Sequence, residues 1–373
     1  MKYRKELFKT KDPFDTKYSN MRFFRAAKEN FAFQYKNCAE YRKIADSFSV
    51  TPDDIKSYED IDKIPCLPTL VFKNHKLFST KKYKMPITAT SSGTKGKYSE
   101  VGFDTGGLWC GLKMVLRISK LRQLFSLRPC RYIIFGYKPH KGNRMAVTKT
   151  AFGATFFAPA ISRTYALKFS DGKYTADLEG IINAVVKYGK SKIPLRFMGF
   201  PSYTYFFLKT MDERRIYLKL NKHSKIMLGG GWKQFYTEQV DKSTLYALAK
   251  KVLGISDENI VEFFGAVEHP ILYCDCKNHH FHVPAYSRVI IRDVDTLEPL
   301  GYGKTGLVNL ITPMIKATPI LSVMTDDLGV LHDGKECGCG LSSPYLEIIG
   351  RVGLSDIKTC AAGAADILSE VKL

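Results

Sequence analysis

Thr90-Ser91-Ser92-Gly93-Thr94-Lys95-Gly96-Lys97-Tyr98-Ser99 is the stretch of sequence that decides the fold we predict for this chain. Its two glycines let the backbone turn sharply, so that several N–H groups can point at one spot. Its hydroxyl groups and two lysines add hydrogen-bond donors and positive charge that suit phosphate oxygens. The stretch departs from the G-x-x-x-x-G-K-S/T pattern, so it predicts a phosphate-binding loop of another kind. Taken alone, the same composition is also typical of an ordinary surface loop.

Positive charge surrounds this loop. The 373 residues include 57 Lys and Arg against 36 Asp and Glu, a net charge of +21. Residues 63–170 hold 20 of the basic residues but only two acids, Glu100 and Asp104, so +18 of the net charge lies there. A solvated basic face explains such a run, whereas its position around the loop favours a ligand that carries phosphate. Because one nucleotide needs fewer cations, an acidic protein partner docking on this half is a further expectation.

Composition limits the class of protein. With 45% hydrophobic, 13% aromatic and 25% charged residues, the chain is typical of a globular protein rather than a disordered or fibrous one. No apolar run approaches the ~18 residues that cross a bilayer, and the first residues lack a signal-peptide pattern. The nine cysteines are an odd number and favour reduced thiols. We therefore expect a cytoplasmic protein that is not an integral membrane protein. A basic nucleic-acid-binding protein is a competing class, but no nucleic-acid-binding motif is present, so we expect no nucleic acid partner.

Alternating strand and helix patterns predict an α/β fold with parallel strands. Short apolar runs bounded by Gly or Pro predict strands at 132–135, 197–200, 226–228 and 260–264. Helical periodicity is found at 21–48, 109–125, 178–188, 202–217 and 237–253. From about residue 274 to 350 the pattern changes to short β-like segments, including 289–292, 306–310 and 346–349. That change predicts a smaller β subdomain.

Further motifs follow the loop in a fixed order. They are Phe264-Gly265-Ala266-Val267-Glu268, then Thr325-Asp326-Asp327-Leu328, then Gly350-Arg351 with Lys358. Together with the loop, these motifs resemble the Y-G-x-T-E, T-G-D-L and G-R-x-x-x-x-K signatures of adenylate-forming enzymes. That superfamily includes acyl-CoA synthetases, adenylation domains and luciferase.

The resemblance implies ATP and Mg²⁺ as cofactors and assigns roles to particular residues. Glu268 would hold Mg²⁺, the Phe264 ring would lie by the adenine, and Asp327 would bind the ribose hydroxyls. The residues expected to contact the nucleotide are Thr90, Ser91, Ser92, Gly93, Thr94, Lys95, Gly96, Gly230, Gly231, Trp232, Phe264, Gly265, Asp327 and Arg351. Lys95 stands where the loop usually has Thr, and Asp326 where the ribose motif usually has Gly. A lysine at position 95 can neutralise phosphate directly.

Within that superfamily, residues 35–365 resemble the LuxE-type acyl-protein synthetases. The resemblance rests on Ile64-Pro65-Cys66-Leu67-Pro68 with Phe72-Lys73, on Ser99 in place of the loop lysine, on Gly229-Gly230-Gly231-Trp232-Lys233 and on Lys358-Thr359-Cys360. It implies one large domain over 1–350, with mixed and parallel sheets flanked by helices, and a short segment, 351–373, where related ligases have a mobile domain. The C-terminal mobile domain is thus expected to be truncated.

The implied activity is ATP-dependent conversion of a long-chain fatty acid to acyl-AMP. The acyl group would then pass to Cys360 as a thioester, for an acyl-CoA-reductase-like or other acyl-acceptor protein. Lys358 would assist by lowering the pKa of the Cys360 thiol. The alternative is an acid-adenylating ligase that passes the acyl group to coenzyme A, a carrier protein or an amine.

Cysteines and histidines cluster late in the chain. Cys274-Asp275-Cys276 precedes His279, His280 and His282, and Cys337-Gly338-Cys339 follows about sixty residues later. These side chains can supply a tetrahedral S₃N or S₄ structural zinc site with Cys276, Cys337 and Cys339 as expected ligands. Reduced turn thiols are the alternative.

Two further features are open to two interpretations each. The aromatic run Phe197, Phe200, Tyr203, Tyr205 and Phe206 suits either an acyl tunnel or a packed core. His269, beside Glu268, suits either a substrate contact or a hydrogen-bonded wall residue.

Overall fold

A computed structural model of the chain describes residues 1–15, 18–91, 98–232, 235 and 238–351. The chain divides into two compact units. The terminal unit combines Met1–Ile118 with the described residues from Gly265 onward, and the inserted unit is Ser119–Phe264. The single domain expected over 1–350 and its β subdomain from about 274 stay predictions.

Helices and strands alternate along much of the chain. The helices are α1 (Lys2–Leu7), α2 (Asn20–Asn37), α3 (Ala39–Ser47), α4 (Thr69–Asn74), α5 (Thr105–Ile118), α6 (Ala146–Ala154), α7 (Leu178–Gly189), α8 (Pro201–Glu213) and α9 (Lys242–Leu253). The strands are β1 (Leu67–Pro68), β2 (Ile87–Thr90), β3 (Glu100–Phe103), β4 (Cys130–Tyr137), β5 (Ala160–Ser170), β6 (Lys173–Ala176), β7 (Leu195–Gly199), β8 (Lys225–Gly229), β9 (Ile260–Ala266), β10 (His269–Cys274), β11 (Phe281–His282), β12 (Arg288–Arg292), β13 (Pro299–Leu300), β14 (Thr305–Ile311), β15 (Ser322–His332) and β16 (Tyr345–Arg351). Short 3-10 turns lie at Glu59–Lys63, Lys82–Lys84, Asp257–Asn259 and Gly334–Cys337.

The inserted unit is built on a parallel sheet. Its strands lie in the order β9-β8-β7-β4-β5-β6, and every neighbouring pair is parallel except β5 with β6. The central strands are apolar on both faces because helices cover a parallel sheet from both sides, and their side chains form one buried core with α7, α8 and α9. This arrangement confirms the predicted α/β class and its parallel strands.

Local signals fix the helices of this unit. Asp177 accepts a hydrogen bond from the Gly180 amide at 2.9 Å, and Asp241 accepts one from the Thr244 amide at 2.8 Å, so each aspartate caps the helix that follows it. Gly254 ends α9 at φ +68°, a left-handed conformation that favours glycine.

The terminal unit contains a mixed sheet of order β11-β16-β15-β14-β12-β13, with β1 added parallel to β15. The other pairs along that order are antiparallel. A separate antiparallel hairpin joins β2 to β3. Short β segments were predicted for this part of the chain, and β12, β14 and β16 confirm them.

Two predicted helices differ most from the structure. The predicted helix at 21–48 is two helices, because the chain is extended at Cys38, between α2 and α3. The predicted helix at 109–125 runs from Thr105 to Ile118 instead, since Asp104 accepts the Gly107 amide at 3.1 Å and so starts α5 earlier. In the described part of the chain, no helix combines the length and the apolar character needed to cross a membrane.

A buried ion pair joins distant parts of the terminal unit. The Arg4 guanidinium donates to both oxygens of Asp104, at 2.9 and 3.2 Å, and to the Met314 carbonyl at 3.0 Å. Asp104 also accepts the amides of Gly107 and Lys316. Burial by itself raises the pKa of Asp104, but these donors more than offset it, so the pKa is lowered.

We predict that Arg4→Met destabilises the protein by about 3–5 kcal/mol, because it leaves a buried carboxylate without its cation. Lys5→Met is the matched control, since it removes one exposed positive charge from the same helix and should change stability by less than about 0.5 kcal/mol. Urea unfolding at neutral pH measures both. The deficit of Arg4→Met should shrink as the pH falls and Asp104 becomes protonated. Equal effects of the two substitutions would contradict the prediction.

Candidate active site

The β2–β3 hairpin presents the predicted phosphate loop. At its mouth the Ser91 amide donates to the Ser99 carbonyl at 3.1 Å, and the Ser99 amide donates to Ser91 Oγ at 3.0 Å. Thr90 lies buried at the end of β2. These bonds close the hairpin at the two ends of the loop. The predicted loop residues Ser92, Gly93, Thr94, Lys95 and Gly96 lie outside the described residues.

Glu268 lies buried in the turn between β9 and β10. Burial raises the pKa of its carboxyl group, because a charged carboxylate loses its hydration there. The Ser99 side chain and the Lys73 charge act in the opposite direction, while the charge of Asp326 raises the pKa further. The turn therefore places Glu268 within electrostatic reach of the loop base and of a second carboxylate.

That second carboxylate, Asp326, is held by α4. Thr69 Oγ1 donates to Asp326 Oδ1 at 2.8 Å, and Lys73 Nζ lies 3.3 Å from Asp326 Oδ2. Pro68 precedes the helix and lies in β1, whose parallel pairing with β15 sets α4 beside Asp326. The motif around Leu67-Pro68 and Phe72-Lys73 thus has a physical role. Sequence reasoning treated Asp326 only as a departure from the family pattern, although Thr69 and Lys73 stand four residues apart, a spacing that puts both on one helix face.

These residues fit the Mg²⁺ ion that the fold family implies. Glu268 and Asp326 are both buried acids, the charge of Asp326 helps to raise the pKa of Glu268, and Lys73 forms an ion pair with Asp326. Hard oxygen ligands of this type suit Mg²⁺, which would neutralise charge on bound phosphate oxygens. Glu268 is the residue best placed to hold the ion, because Asp326 is already bonded to Thr69 and Lys73.

Asp327 and Arg351 lie opposite each other in the antiparallel pairing of β15 with β16. The Asp327 amide donates to Thr325 Oγ1 at 3.3 Å, and Thr325 Oγ1 donates in turn to the Val308 carbonyl at 3.2 Å. The structure therefore brings the ribose motif and the hinge motif together at one end of a strand pair. Lys358 and Cys360 lie outside the described residues.

The inserted unit contains four other predicted nucleotide contacts, Gly230, Gly231, Trp232 and Phe264, while Gly265 begins the second part of the terminal unit. Gly230 and Gly231 follow β8 with φ of +87° and +66°, conformations that favour glycine. Phe264 lies in β9, which pairs with β8 up to Gly229. Ligands of open α/β sheets bind at the carboxyl ends of parallel strands, which is where these residues lie. Trp232 is buried, with its ring centroid 5.6 Å from that of Tyr205.

The aromatic run divides between the two interpretations offered for it. Phe197 is fully buried in the core of the inserted unit, and its ring stacks near Phe135 at 6.4 Å. Tyr203 and Phe206 contact Phe235 at centroid distances of 5.8 and 5.0 Å. Phe197 is thus a core residue, whereas the tunnel stays a prediction for Phe200, Tyr203, Tyr205 and Phe206.

His269 is fully buried beside Glu268. Its Nε2 lies 2.9 Å from Ser287 Oγ, which also bonds Tyr273 at 2.7 Å. Burial lowers the pKa of His269 to about 3, so its ring is neutral at physiological pH. This environment favours the wall interpretation over a substrate contact.

The cysteine and histidine cluster assembles in the terminal unit. One potential ligand atom from each of Cys276, His282, Cys337 and Cys339 lies within 4.8 Å of all the others. The structure therefore brings together the three cysteines that the sequence singled out. It also selects His282 from the three neighbouring histidines, a choice that the sequence left open.

A family model and curated relatives match this chain over most of its length. The model of the family described as "Acyl-protein synthetase, LuxE" matches residues 5–370. The long-chain-fatty-acid–luciferin-component ligase of Aliivibrio fischeri is 24% identical over 353 residues, which cover 92% of this chain and 88% of that protein. The phenylacetate-coenzyme A ligase of Thermus thermophilus is 25% identical, with 86% of this chain and 67% of that protein covered.

Solved structures support the fold. A crystal structure of 2-hydroxyisobutyryl-CoA ligase in the postadenylation state has a TM-score of 0.69 at 14% sequence identity. The match covers 92% of this chain and 69% of that one. The adenylate-forming fold predicted from the motifs is thereby confirmed, and the chain belongs to the LuxE family of acyl-protein synthetases.

Proposed function

We propose that this chain activates a long-chain fatty acid with ATP and transfers the acyl group to its own Cys360. A carboxylate oxygen of the fatty acid attacks the α-phosphorus of ATP, the bond from that phosphorus to the bridging oxygen breaks, and pyrophosphate leaves. The Cys360 thiolate then attacks the acyl carbon, and AMP leaves with the electrons of the C–O bond. The observation that carries the proposal is the buried Glu268 and Asp326 pair with Lys73, next to the mouth of the phosphate loop.

Each group of residues has a task in this scheme. Thr90 and Ser91, with the loop residues from Ser92 to Gly96, cradle phosphate oxygens. Glu268 holds Mg²⁺. Lys73 forms an ion pair with Asp326 and so keeps the Asp326 carboxylate away from the position of the Mg²⁺ ion. The nucleoside contacts come from Asp327 and Arg351 on one strand pair. We also assign nucleoside contacts to Gly230, Gly231, Trp232, Phe264 and Gly265.

The environments of the described cysteines support Cys360 as the acyl acceptor. Burial raises the pKa of Cys38 to about 12, and burial also raises the pKa values of Cys66, Cys110 and Cys130. A thiol with a raised pKa supplies little thiolate at neutral pH and is a weak nucleophile there. The Lys-Thr-Cys sequence at Lys358 to Cys360, by contrast, puts a cation two residues from the acceptor.

The remaining parts of the proposal concern location, metal and partner. We place the protein in the cytoplasm, because a thioester-forming cysteine needs reducing surroundings. A structural zinc ion at Cys276, Cys337 and Cys339 is part of the proposal. So is an acyl-CoA-reductase-like or other acyl-acceptor protein that takes the acyl group from Cys360 and docks on the basic half of the chain.

Intact-mass measurement after incubation with ATP, Mg²⁺ and fatty acids of different lengths tests the acceptor. We predict that one fatty acyl group is attached to each protein molecule and that hydroxylamine removes it. The adduct should be absent in Cys360→Ala and should persist in Cys66→Ala, which is the control for a different thiol. Pyrophosphate release should survive in Cys360→Ala as a slow background. A protein without adduct that forms acyl-CoA once coenzyme A is added would overturn the proposal in favour of a coenzyme A ligase.

The raised pKa of Glu268 leads to a prediction that separates stability from activity. Glu268→Gln should lower adenylate formation by about 10²-fold or more, the range for losing one preorganised electrostatic group. The same change should raise the thermal midpoint of the metal-free protein, increasingly so as the pH rises through the raised pKa. Below that pKa the native glutamate is protonated, and above it the buried charge costs stability.

Calorimetry from pH 5 to pH 9, beside a pyrophosphate-release assay, measures both effects. Glu298→Gln is the matched control, because Glu298 is exposed in the same unit. A midpoint difference that does not change with pH would show that burial of the Glu268 charge is not the cause.

Charge predicts how the acceptor protein responds to salt. If the basic half of the chain binds an acidic partner, acyl transfer from loaded Cys360 to a reductase-like protein should slow as ionic strength rises. Adenylate formation by the isolated chain should change little, since it involves no docked protein partner. Stopped-flow transfer and pyrophosphate release, measured over one salt series, compare the two. Equal salt sensitivity would contradict the docking proposal.

A further inference from the structure

We propose that Cys276, His282, Cys337 and Cys339 form a complete Cys₃His zinc site that fixes the far end of the strand pair carrying Asp327 and Arg351. This inference extends the three-cysteine zinc site of the proposed function and does not depend on acyl transfer. The four ligand atoms lie within 4.8 Å of one another. In a tetrahedral site with Zn–S bonds of about 2.3 Å, neighbouring sulfurs lie about 3.8 Å apart.

The distances between these atoms are short enough for all four to bind one metal ion. Cys276 Sγ lies 3.5 Å from Cys337 Sγ, and Cys339 Sγ lies 3.2 Å from His282 Nε2. Cys276, Cys337 and His282 are buried, and Cys339 is half-buried. Three thiolates and one imidazole are a common ligand set of structural zinc, and no position is left for a substrate.

Neighbouring backbone groups orient the ligands. His282 Nδ1 lies 2.7 Å from the Ser343 carbonyl, which can only accept, so Nδ1 carries the proton and the Nε2 lone pair faces Cys339. The amide of Asn278 donates to Cys276 Sγ at 3.3 Å, and that of Leu341 donates to Cys339 Sγ at 3.4 Å. Each amide stands two residues after the cysteine that it contacts. Such N–H donors favour thiolate over thiol.

Glycines let the second cysteine pair turn around one point. Gly338 has φ +67° and Gly340 has φ +98°, both in the left-handed region. Each follows a cysteine directly, so the backbone can reverse after Cys337 and again after Cys339. The two glycines of the Cys-Gly-Cys-Gly pattern therefore allow one short loop to supply two ligands to the same metal ion.

The neighbouring His280 has a different role. Its Nδ1 lies 3.1 Å from Cys337 Sγ, and its ring stacks on Tyr345 with centroids 4.4 Å apart. His280 does not belong to the group of four residues whose ligand atoms all lie within 4.8 Å of one another. We infer that His280 donates a hydrogen bond to the Cys337 thiolate from outside the coordination sphere, whereas His282 binds the metal.

The position of the site in the fold gives it a consequence for the active site. Cys276 and His282 come from the connection of β10 to β11 and from β11 itself, and Cys337 and Cys339 lie in the connection of β15 to β16. Glu268 immediately precedes β10, while Asp327 and Arg351 lie at the opposite end of the β15–β16 pair. His332 stands five positions after Asp327 along β15, a distance of about 17 Å at ~3.3 Å per residue. The metal is thus a positioning element, remote from the reacting atoms.

Metal analysis of the untagged full chain tests the site. We expect one zinc per chain by mass spectrometry, and after replacement by Co²⁺ the intense visible absorption of a tetrahedral thiolate site. His282→Ala should lose more than about 100-fold in metal affinity and alter the cobalt spectrum. His280→Ala, the matched control, should keep the spectrum and lose about 10–100-fold, the range for an outer-sphere partner.

Three results would overturn the proposal. One is a wild-type protein that contains no metal and whose cysteine thiols all react with a thiol reagent, or in which Cys276 and Cys337 form a disulfide. Another is His282→Ala with an unchanged cobalt spectrum. The third is the reverse pattern, in which His280→Ala alters the spectrum.

The positioning role has its own measurement. Removal of zinc by a chelator should lower the thermal midpoint and raise the KM for ATP in pyrophosphate release, and added zinc should restore both. Unchanged values after complete removal would overturn the positioning role. The midpoint and metal content are measured without fatty acid or ATP. A failure of the acyl-activating proposal would therefore leave these readouts intact, and a failure of the zinc site would leave acyl-AMP formation to be judged separately.

Discussion

The buried pair of Arg4 and Asp104 is the interaction on which the terminal unit depends. It fixes the first helix, the start of α5 and the loop between β14 and β15 at one point. From α2, Asn30 and Gln34 donate to four carbonyls of the same loop. Thr318, also in this loop, accepts the Gly102 amide of β3 at 2.9 Å. One connected set of polar hydrogen bonds therefore links the β2–β3 hairpin to the loop that precedes β15, the strand that carries Asp326.

The concentration of positive charge has a double explanation. Lys73 pairs with Asp326 and Lys76 with Glu100, so both are used by acids of the terminal unit. Arg117 donates to the Phe8 carbonyl at 2.6 Å, and Arg122 donates to the Ile260 carbonyl at 2.7 Å. A guanidinium that satisfies buried carbonyls serves packing rather than phosphate binding. Part of the +18 over residues 63–170 is thus structural, which narrows the excess left for a nucleotide or a partner.

Sequence reasoning predicted the features that depend on local pattern. Continuous apolar runs identify β4, β7, β8 and β9, because strands buried on both faces need no polar alternation. The predicted start of α5 was wrong. The helix begins where Asp104 accepts the Gly107 amide, and Asp104 is itself held by Arg4, a hundred residues earlier in the chain. The role of Asp326 was missed for the same reason, because its partners on α4 lie more than 250 residues away. Likewise, His282 cannot be distinguished from His280 by spacing alone, since the Ser343 carbonyl that orients its ring comes from a distant loop.

The burial of Asp326 in β15, near the buried Glu268, is electrostatically unfavourable. A buried carboxylate loses its hydration and is repelled by a second carboxylate nearby. Thr69 and Lys73 hold Asp326 by a hydrogen bond and an ion pair, and β1 pairs with β15 at Val323 and Met324, the latter two residues before this acid. The other end of the strand connects to the cysteine loop, which is tied in turn to β11. β15 is therefore held by neighbouring segments at both of its ends. The Pro-Cys-Leu-Pro segment and the Cys-Gly-Cys-Gly loop, far apart in sequence, therefore lie at opposite ends of the strand that carries Asp326.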